Sequence, residues 1–326
     1  MSARVSIVIP TCRRPELLAR CLGALAAQDY DAHLYEIIVA DDAAEPRVRH
    51  LVAQWAKRTH GAPLIRYVAV TGSRGPAGAR NRGWEIASGD VVAFTDDDTV
   101  ARADWLTEGM KAMIPGVAAA AGRVIVPLPS DRPLTDYERD IRHMETAEFL
   151  TANCFVRREV LRAVGGFDER FTSAWREDSD LQFRLLEANG KVVAAPHAVV
   201  EHPVRAMSWA GGIRQHRKIA FDALLYKKHP RLYRERIRAA PPWSYYIIVA
   251  ALAAIVAGAV GRTPVLAWSG FAVWLLFTAG FCARRLSRTS HAPAHVAEMI
   301  VTSIAIPPVA VFWRLAGAFR YRVFFL

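Results

Sequence analysis

Residues 91–98 read Val91-Val92-Ala93-Phe94-Thr95-Asp96-Asp97-Asp98. A short apolar, partly β-branched run followed by three carboxylates predicts a buried strand, Val91–Phe94, whose end carries dense negative charge. Adjacent carboxylates repel and raise one another's pKa unless a cation compensates. A hard divalent ion with oxygen ligands is the natural compensator. The alternative is a solvated turn or a helix N-cap leading toward Trp105 and Leu106.

The same pattern recurs upstream. Val5–Ile9 reads as a strand ended by Pro10, and Arg14–Ala27 carries Leu17, Leu18, Cys21, Leu22 and Leu25 at helical spacing. Glu36–Ala40 and Leu64–Val70 read as further strands, with Val48–Lys57 and Ala77–Ala87 as helices. Strand–helix alternation predicts an α/β fold whose sheet is mostly parallel, with helices on both faces. Ligands of such sheets sit at the carboxyl ends of the strands. Pro10-Thr11, Asp41-Asp42 and Asp96-Asp97-Asp98 all fall at those ends.

Two further clusters carry chemistry. Gly72-Ser73-Arg74-Gly75-Pro76-Ala77-Gly78-Ala79-Arg80-Asn81-Arg82-Gly83 is a glycine-rich turn entering a helix, a source of backbone donors for an anion. Its order is neither that of a dinucleotide fold nor that of a P-loop. Glu177-Asp178-Ser179-Asp180 opens a helix continued by Leu181, Leu185 and Leu186. Acids there either complement the helix dipole or supply a general base for an alcohol. His202 follows the strand-like run Ala198–Glu201, within possible reach of Asp98.

Charge distribution narrows the class. The chain of 326 residues has a formal net charge of +11, yet residues 1–200 carry −2. Residues 201–240 hold ten Lys/Arg against three acids, and residues 241–326 hold seven Arg against Glu298 alone. The basic surface therefore lies just before and among apolar C-terminal stretches, which argues for an anionic membrane and against nucleic acid. Trp243–Val260 and Pro264–Ala283 are uncharged and long enough to cross about 30 Å of hydrocarbon. A third stretch, about 296–313, is interrupted by Pro307-Pro308 and is open to spanning, re-entrant or interfacial readings. The positive-inside tendency puts residues 1–240 in the cytoplasm. Cys12, Cys21, Cys154 and Cys282 are scattered, with no zinc spacing, which predicts unpaired thiols in a reduced compartment.

Taken together these motifs resemble family 2 glycosyltransferases of the GT-A fold. The matching residues are Val5–Thr11, Val39-Ala40-Asp41-Asp42, Ala79-Arg80-Asn81-Arg82-Gly83, Phe94–Asp98, Gly165-Gly166-Phe167-Asp168-Glu169 and Glu177–Leu181, in family order over roughly residues 4–205. The resemblance implies a mixed sheet with helices on both faces, followed by a C-terminal helical membrane region. It implies a catalytic domain over 1–205, a basic juxtamembrane segment over 206–242 and a membrane region over 243–326. By position, Pro10, Thr11 and Asp41 would hold the base and ribose of a nucleotide-sugar, with Arg80, Asn81 and Asp97 nearby. Asp96 and Asp98 would form the DxD element that works with Mn2+ or Mg2+, His202 would be a further metal ligand, and Asp178 the catalytic base. The acceptor region would involve Asn153 to Asp168 and the face of the juxtamembrane helices.

The implied reaction is an inverting sugar transfer to a hydroxyl on a lipid-linked or membrane-bound acceptor, at the cytoplasmic (inner) membrane. Ala43-Ala44 departs from the Gly-Ser common in relatives, and Gln215-His216-Arg217-Lys218-Ile219 departs from the QxxRW element of processive synthases. A polyprenyl-phosphate sugar synthase and a non-catalytic nucleotide-sugar scaffold are the alternatives. Glu177-Asp178 at a helix start argues against the first, and the retained acids against the second.

Overall fold

The computed structural model describes residues 4–72 and 74–325, so Ser73 of the glycine-rich run lies outside the described residues. The chain forms two compact units: residues up to Pro127 with Arg142–Val204, and Leu128–Ile141 with Arg205–Leu326. The sequence reading runs the first domain unbroken to residue 205. Packing instead gives Leu128–Ile141 to the second unit, where Asp136 meets Arg285 at 2.8 Å and the Leu134 carbonyl accepts from Ser290 N–H.

The first unit begins β1 (Val5–Thr11), α1 (Pro15–Ala26), β2 (Tyr35–Asp41), α2 (Pro46–Arg58), β3 (Leu64–Ala69), α3 (Pro76–Glu85) and β4 (Val91–Thr95). All seven match the expected elements to within one or two residues. Proline opens each of the three helices, where its missing N–H costs no helical bond. Strands β1, β2 and β4 are buried along their whole length, as expected of strands covered on both faces.

Beyond β4 come β5 (Val100–Ala101), α4 (Trp105–Ala112) and β6 (Val117–Ile125). The helix α5 (Asp136–Ile141) belongs to the second unit. Then follow β7 (Asn153–Arg157), α6 (Arg158–Val164), α7 (Glu177–Glu187) and β8 (Lys191–Glu201).

The eight strands form one sheet in the order β3-β2-β1-β4-β7-β6-β8-β5. It is mixed because β7 runs antiparallel to both neighbours, β4 and β6. Two antiparallel steps restore direction, so β6 and β8 point the same way as β1, β2 and β4. The carboxyl ends of these five strands therefore share one edge. Thr11 pairs with Asp41, and Ile125 with Glu201, at that edge.

The core beneath this edge packs Val8, Ile38, Phe94, Val156, Leu181 and Leu185. Gly83 of α3 lies against β1, and a Cβ there would come within 2.3 Å of Val8. Only glycine lets helix and strand approach this closely.

The second unit is helical: α8 (Gly211–Gln215), α9 (Ala220–Lys228), α10 (Pro230–Arg236), α11 (Trp243–Val260), α12 (Pro264–Leu286) and α13 (Pro293–Arg320). Helices α11, α12 and α13 are each long and apolar enough to cross a membrane. Helices α11 and α12 form an antiparallel pair, with Gly258 backed onto Ala267 and Gly270 onto the Ala251 carbonyl. Helix α13 runs unbroken through Pro307-Pro308, where the sequence pattern leaves an interruption open.

Candidate active site

The turn after β4 presents the three aspartates and is itself tightly held. Thr99 donates to the Asp96 carbonyl at 2.8 Å, and Thr95 and Thr99 hydroxyls are 2.6 Å apart. Each carboxylate meets its own partner. Arg80 Nη2 donates to Asp96 Oδ1 at 2.8 Å, and Thr11 Oγ1 to Asp97 Oδ2 at 2.7 Å. Arg14 Nη1 lies 3.1 Å from Asp97 and 4.0 Å from Asp98.

These partners sort the three acids. Burial alone raises a carboxyl pKa, and it pushes Asp97 up to about 6 against the pull of Arg14 and Thr11. Burial acts on Asp96 too, but the Arg80 guanidinium outweighs it, with His202 assisting, and holds Asp96 below its ordinary value.

His202 follows β8, and its Nε2 lies 3.5 Å from Asp98 Oδ1. One ligand atom from each of Asp96, Asp98 and His202 falls within a 4.8 Å group. Among the described residues the buried Nδ1 of His202 has no hydrogen-bond partner. Two carboxylates and an imidazole form a donor set suited to a divalent ion such as Mn2+ or Mg2+.

Arg80 is buried, 2% exposed, and bridges two motifs distant in sequence. Its Nη2 holds Asp96 and its Nη1 holds Glu177 Oε1 at 3.0 Å, the first residue of α7. The next residue is Asp178, which accepts from Ser179 N–H at 2.6 Å. Burial raises its pKa, against the pull of that bond and of Arg176. One guanidinium thus ties the acidic turn to the helix start bearing the expected base.

Several residues expected beside the nucleotide make hydrogen bonds within the protein. Arg80 is occupied by carboxylates, as above. Asn81 is saturated: its amide donates to the Phe167 carbonyl and Glu169, and its oxygen accepts from Phe167 N–H and Trp84 Nε1. Gly166 sits beside it at φ +66°, where a Cβ would come within 2.6 Å of the Asn81 oxygen. That contact explains why Gly166 accompanies Asn81, while Gly165 ends α6 in a left-handed conformation at φ +77°.

Asp41 is fully buried and accepts from Ala43 N–H, Glu45 N–H and Tyr67 Oη, so it fastens the loop after β2. Pro10 and Thr11 are buried at the end of β1. Asn153, expected toward an acceptor, is also fully buried, bonded to Trp105 and to the Arg123 and Ala198 carbonyls. All these residues lie in the first unit, where they shape the site's framework.

Two contributors escaped sequence reading. The sequence shows Arg14 as the start of a helix and Glu177 as one of several acids at a helix start, with no partner for either. The available signal was charge balance. An Arg directly after a strand end, and an acid beside a proposed base, stand opposite groups that need compensation.

The comparisons agree with this geometry. The profile of Glycosyl transferase family 2 matches residues 6–165, and that of Glycosyl transferase family group 2 matches residues 91–283. The chain is 26% identical over 209 residues to Glycosyltransferase AglE of Haloferax volcanii, covering 62% of this chain and 67% of that protein. It is 31% identical over 210 residues to Succinoglycan biosynthesis protein ExoM of Rhizobium meliloti, covering 61% and 67%. Among solved structures, Mannosyltransferase PcManGT from Pyrobaculum calidifontis, in complex with GDP-Man and Mn2+, superposes with a TM-score of 0.63 at 22% identity. That match covers 97% of this chain and 88% of the other, a likeness of fold. Motif order, strand-end chemistry and profile matches converge on one conclusion: the chain belongs to glycosyltransferase family 2.

Proposed function

We propose that the protein transfers a sugar from a nucleotide-sugar to an acceptor hydroxyl, with inversion at the anomeric carbon, while anchored to a membrane. The observation that supports this reading most is that Asp96, Asp98 and His202 cluster at one sheet edge and are tied through Arg80 to the Asp178 helix start. A Mn2+ or Mg2+ ion held there would offset the charge that builds on the departing diphosphate. The neighbour's complex with GDP-Man and Mn2+ supports the same donor class and metal type.

In this reading Asp178 takes the proton from the acceptor hydroxyl as that oxygen attacks the anomeric carbon. The new C–O bond forms as the bond to the nucleoside diphosphate breaks, and the single displacement inverts the centre. Burial raises the Asp178 pKa, which makes it a better proton acceptor than an exposed aspartate. Arg80 acts as a positioning residue, holding Asp96 toward the metal cluster and Glu177 beside the base. Thr11 and Arg14 fix Asp97, and Pro10, Asp41 and Asn81 shape the pocket from behind.

The apolar helices and the basic residues before them favour a lipid-linked or membrane-bound acceptor, with the catalytic unit on the cytoplasmic face of the inner membrane. The test is nucleoside diphosphate release by detergent-solubilised protein across UDP-, GDP- and dTDP-sugars, with Mn2+ or Mg2+ and a membrane-lipid extract. Metal-dependent release that needs the lipid and collapses in Asp178→Asn is the expected result. Release that survives the mutation, with an acid-labile polyprenyl-phosphate sugar as product, would replace this reading with that of a polyprenyl-phosphate sugar synthase. Donor binding without turnover over a broad acceptor panel would favour a scaffold.

A further inference from the structure

Helix α13 has the length and hydropathy of a membrane span, yet its packing within the second unit is that of a different object. At 1.5 Å per residue, 28 residues extend about 42 Å. One face, bearing Met299, Ser303, Ile306, Ala310, Arg314 and Gly317, is buried. The opposite face exposes Ile300, Ile304, Phe312, Leu315 and Phe319, all apolar and at helical spacing, with Phe319 89% exposed.

The buried face packs on the segment from Trp209 to Lys228 as well as on α11 and α12. Trp209 Nε1 donates to the Ala294 carbonyl, and Ala210 N–H to Glu298 at 2.9 Å. Gly317 presses on Ala220, whose carbonyl lies 2.5 Å from where a Cβ would stand. Lys227 Nζ donates to the Tyr321 carbonyl at 2.8 Å. The charged segment is thus fastened to α13 near both of its ends.

That neighbour cannot cross a bilayer. Between 211 and 228 it carries Arg214, Arg217, Lys218, Asp222, Lys227 and Lys228, far more ionised groups than hydrocarbon accepts. A helix fastened near both ends to such a segment cannot cross either.

The contacts with the apolar hairpin agree. Arg285, at the end of α12, donates to the Thr302 and Ser303 hydroxyls at 2.7 and 3.1 Å, a third of the way along α13. The far end of the hairpin is left bare: Val260 is 81% exposed, Val265 80% and Trp268 71%. A third span would lie against those residues.

We infer that α13 lies in the membrane plane, its apolar face set into the near leaflet and its other face carrying the 209–228 segment. Exposed Arg284, Arg288, Arg320 and Arg322 stand near its two ends, placed for anionic headgroups. The chain then crosses the bilayer twice, and its C-terminus returns to the side on which residues 209–236 lie.

Single cysteines at Arg231, Arg262 and Arg322, in a full-length chain with Cys12 and Cys282 changed to Ser, test this with a membrane-impermeant maleimide. Labelling is compared in intact and permeabilised spheroplasts of the expression host. Arg231→Cys and Arg322→Cys should share one side and Arg262→Cys the other. Arg322→Cys labelling together with Arg262→Cys overturns the inference, and labelling of all three from one side overturns it along with the hairpin.

A second readout uses environment-sensitive labels at Ile300→Cys, Ile304→Cys, Phe312→Cys and Phe319→Cys, quenched by lipids brominated at different depths. Equal shallow depths are expected. A steady progression of about 1.5 Å per residue is the signature of a span and overturns the inference. Neither readout depends on catalysis, so its outcome is separate from that of the transferase assay.

Discussion

Two arginines show how differently the two units handle charge. Arg80, in the sheet unit, is 2% exposed and shared between Asp96 and Glu177. Arg285, in the helical unit, pairs with Asp136, which is 26% exposed, and with two hydroxyls. The first ties the acidic turn after β4 to the start of α7, and the second holds helices together beside solvent. The contrast teaches that equal residue types and similar distances carry unequal weight, because the cost of leaving a partner uncompensated depends on its burial.

The sharpest break of this comparison lies in the unit that performs the chemistry. Asp178→Asn should lower turnover by about 10²- to 10⁴-fold, the usual size of a general-base contribution. Nucleotide-sugar binding by calorimetry should persist.

Next in size is the arginine pair itself. Arg80→Met leaves Glu177 buried without its cation, and about 3–5 kcal/mol of stability should be lost in chemical denaturation. Arg285→Met leaves a carboxylate with access to water, so its loss should be well below that of Arg80→Met. Equal losses would mean that burial does not set the difference.

Titration sharpens the same point within the sheet unit. Asp178 must be ionised to accept a proton, and its pKa is raised by burial. Activity should therefore fall as pH drops, with the acid limb of kcat/KM centred above the ordinary aspartate value of about 3.9. A pH–rate profile with its acid limb at or below that value would remove Asp178 as the base.

Glu36 shifts the opposite way. Burial raises its pKa, but bonds from Ser88 and Ser6 and the ion pair with Arg66 outweigh it and hold it low. Its contribution is full above about pH 4.3 and is lost as pH falls through the lower folded value. Glu36→Gln should cost about 1–3 kcal/mol at neutral pH, and the difference from the parent should shrink in acid. The smallest effect is expected at the exposed Arg82–Glu85 pair, where Arg82→Ala should shift stability by no more than about 0.5 kcal/mol.

Much of the sheet unit was legible because its strands are local patterns. Val5–Ile9, Glu36–Ala40 and Val91–Phe94 announce themselves by continuous apolar runs, and each matches a strand. The later strands hid. Strand β6, Val117–Ile125, is largely alanine, and β7, Asn153–Arg157, is a mixed run that gains its strand character from two antiparallel neighbours. The Asp96, Asp98 and His202 cluster was readable as residue types at strand ends, a position that topology then brings to one edge.

Which polar residue opens onto the cleft was not readable. Asp41, Arg80 and Asn81 fit a ligand-binding pattern, yet their side chains are spent on loop amides, carboxylates and a glycine turn. A motif specifies that such a group is needed nearby. It does not say whether protein or ligand supplies its partner.

By itself the sequence determined the strand–helix order, the acidic strand end, the acidic helix start and the apolar hairpin, since each rests on spacing along a few residues. Tertiary structure alone decided the rest. It reversed β7 so that His202 meets Asp98, set Arg80 between Asp96 and Glu177, and laid one face of α13 along a charged segment. Those outcomes depend on contacts between residues distant in the chain, whose pairing follows from packing and from the cost of leaving buried charge unmatched.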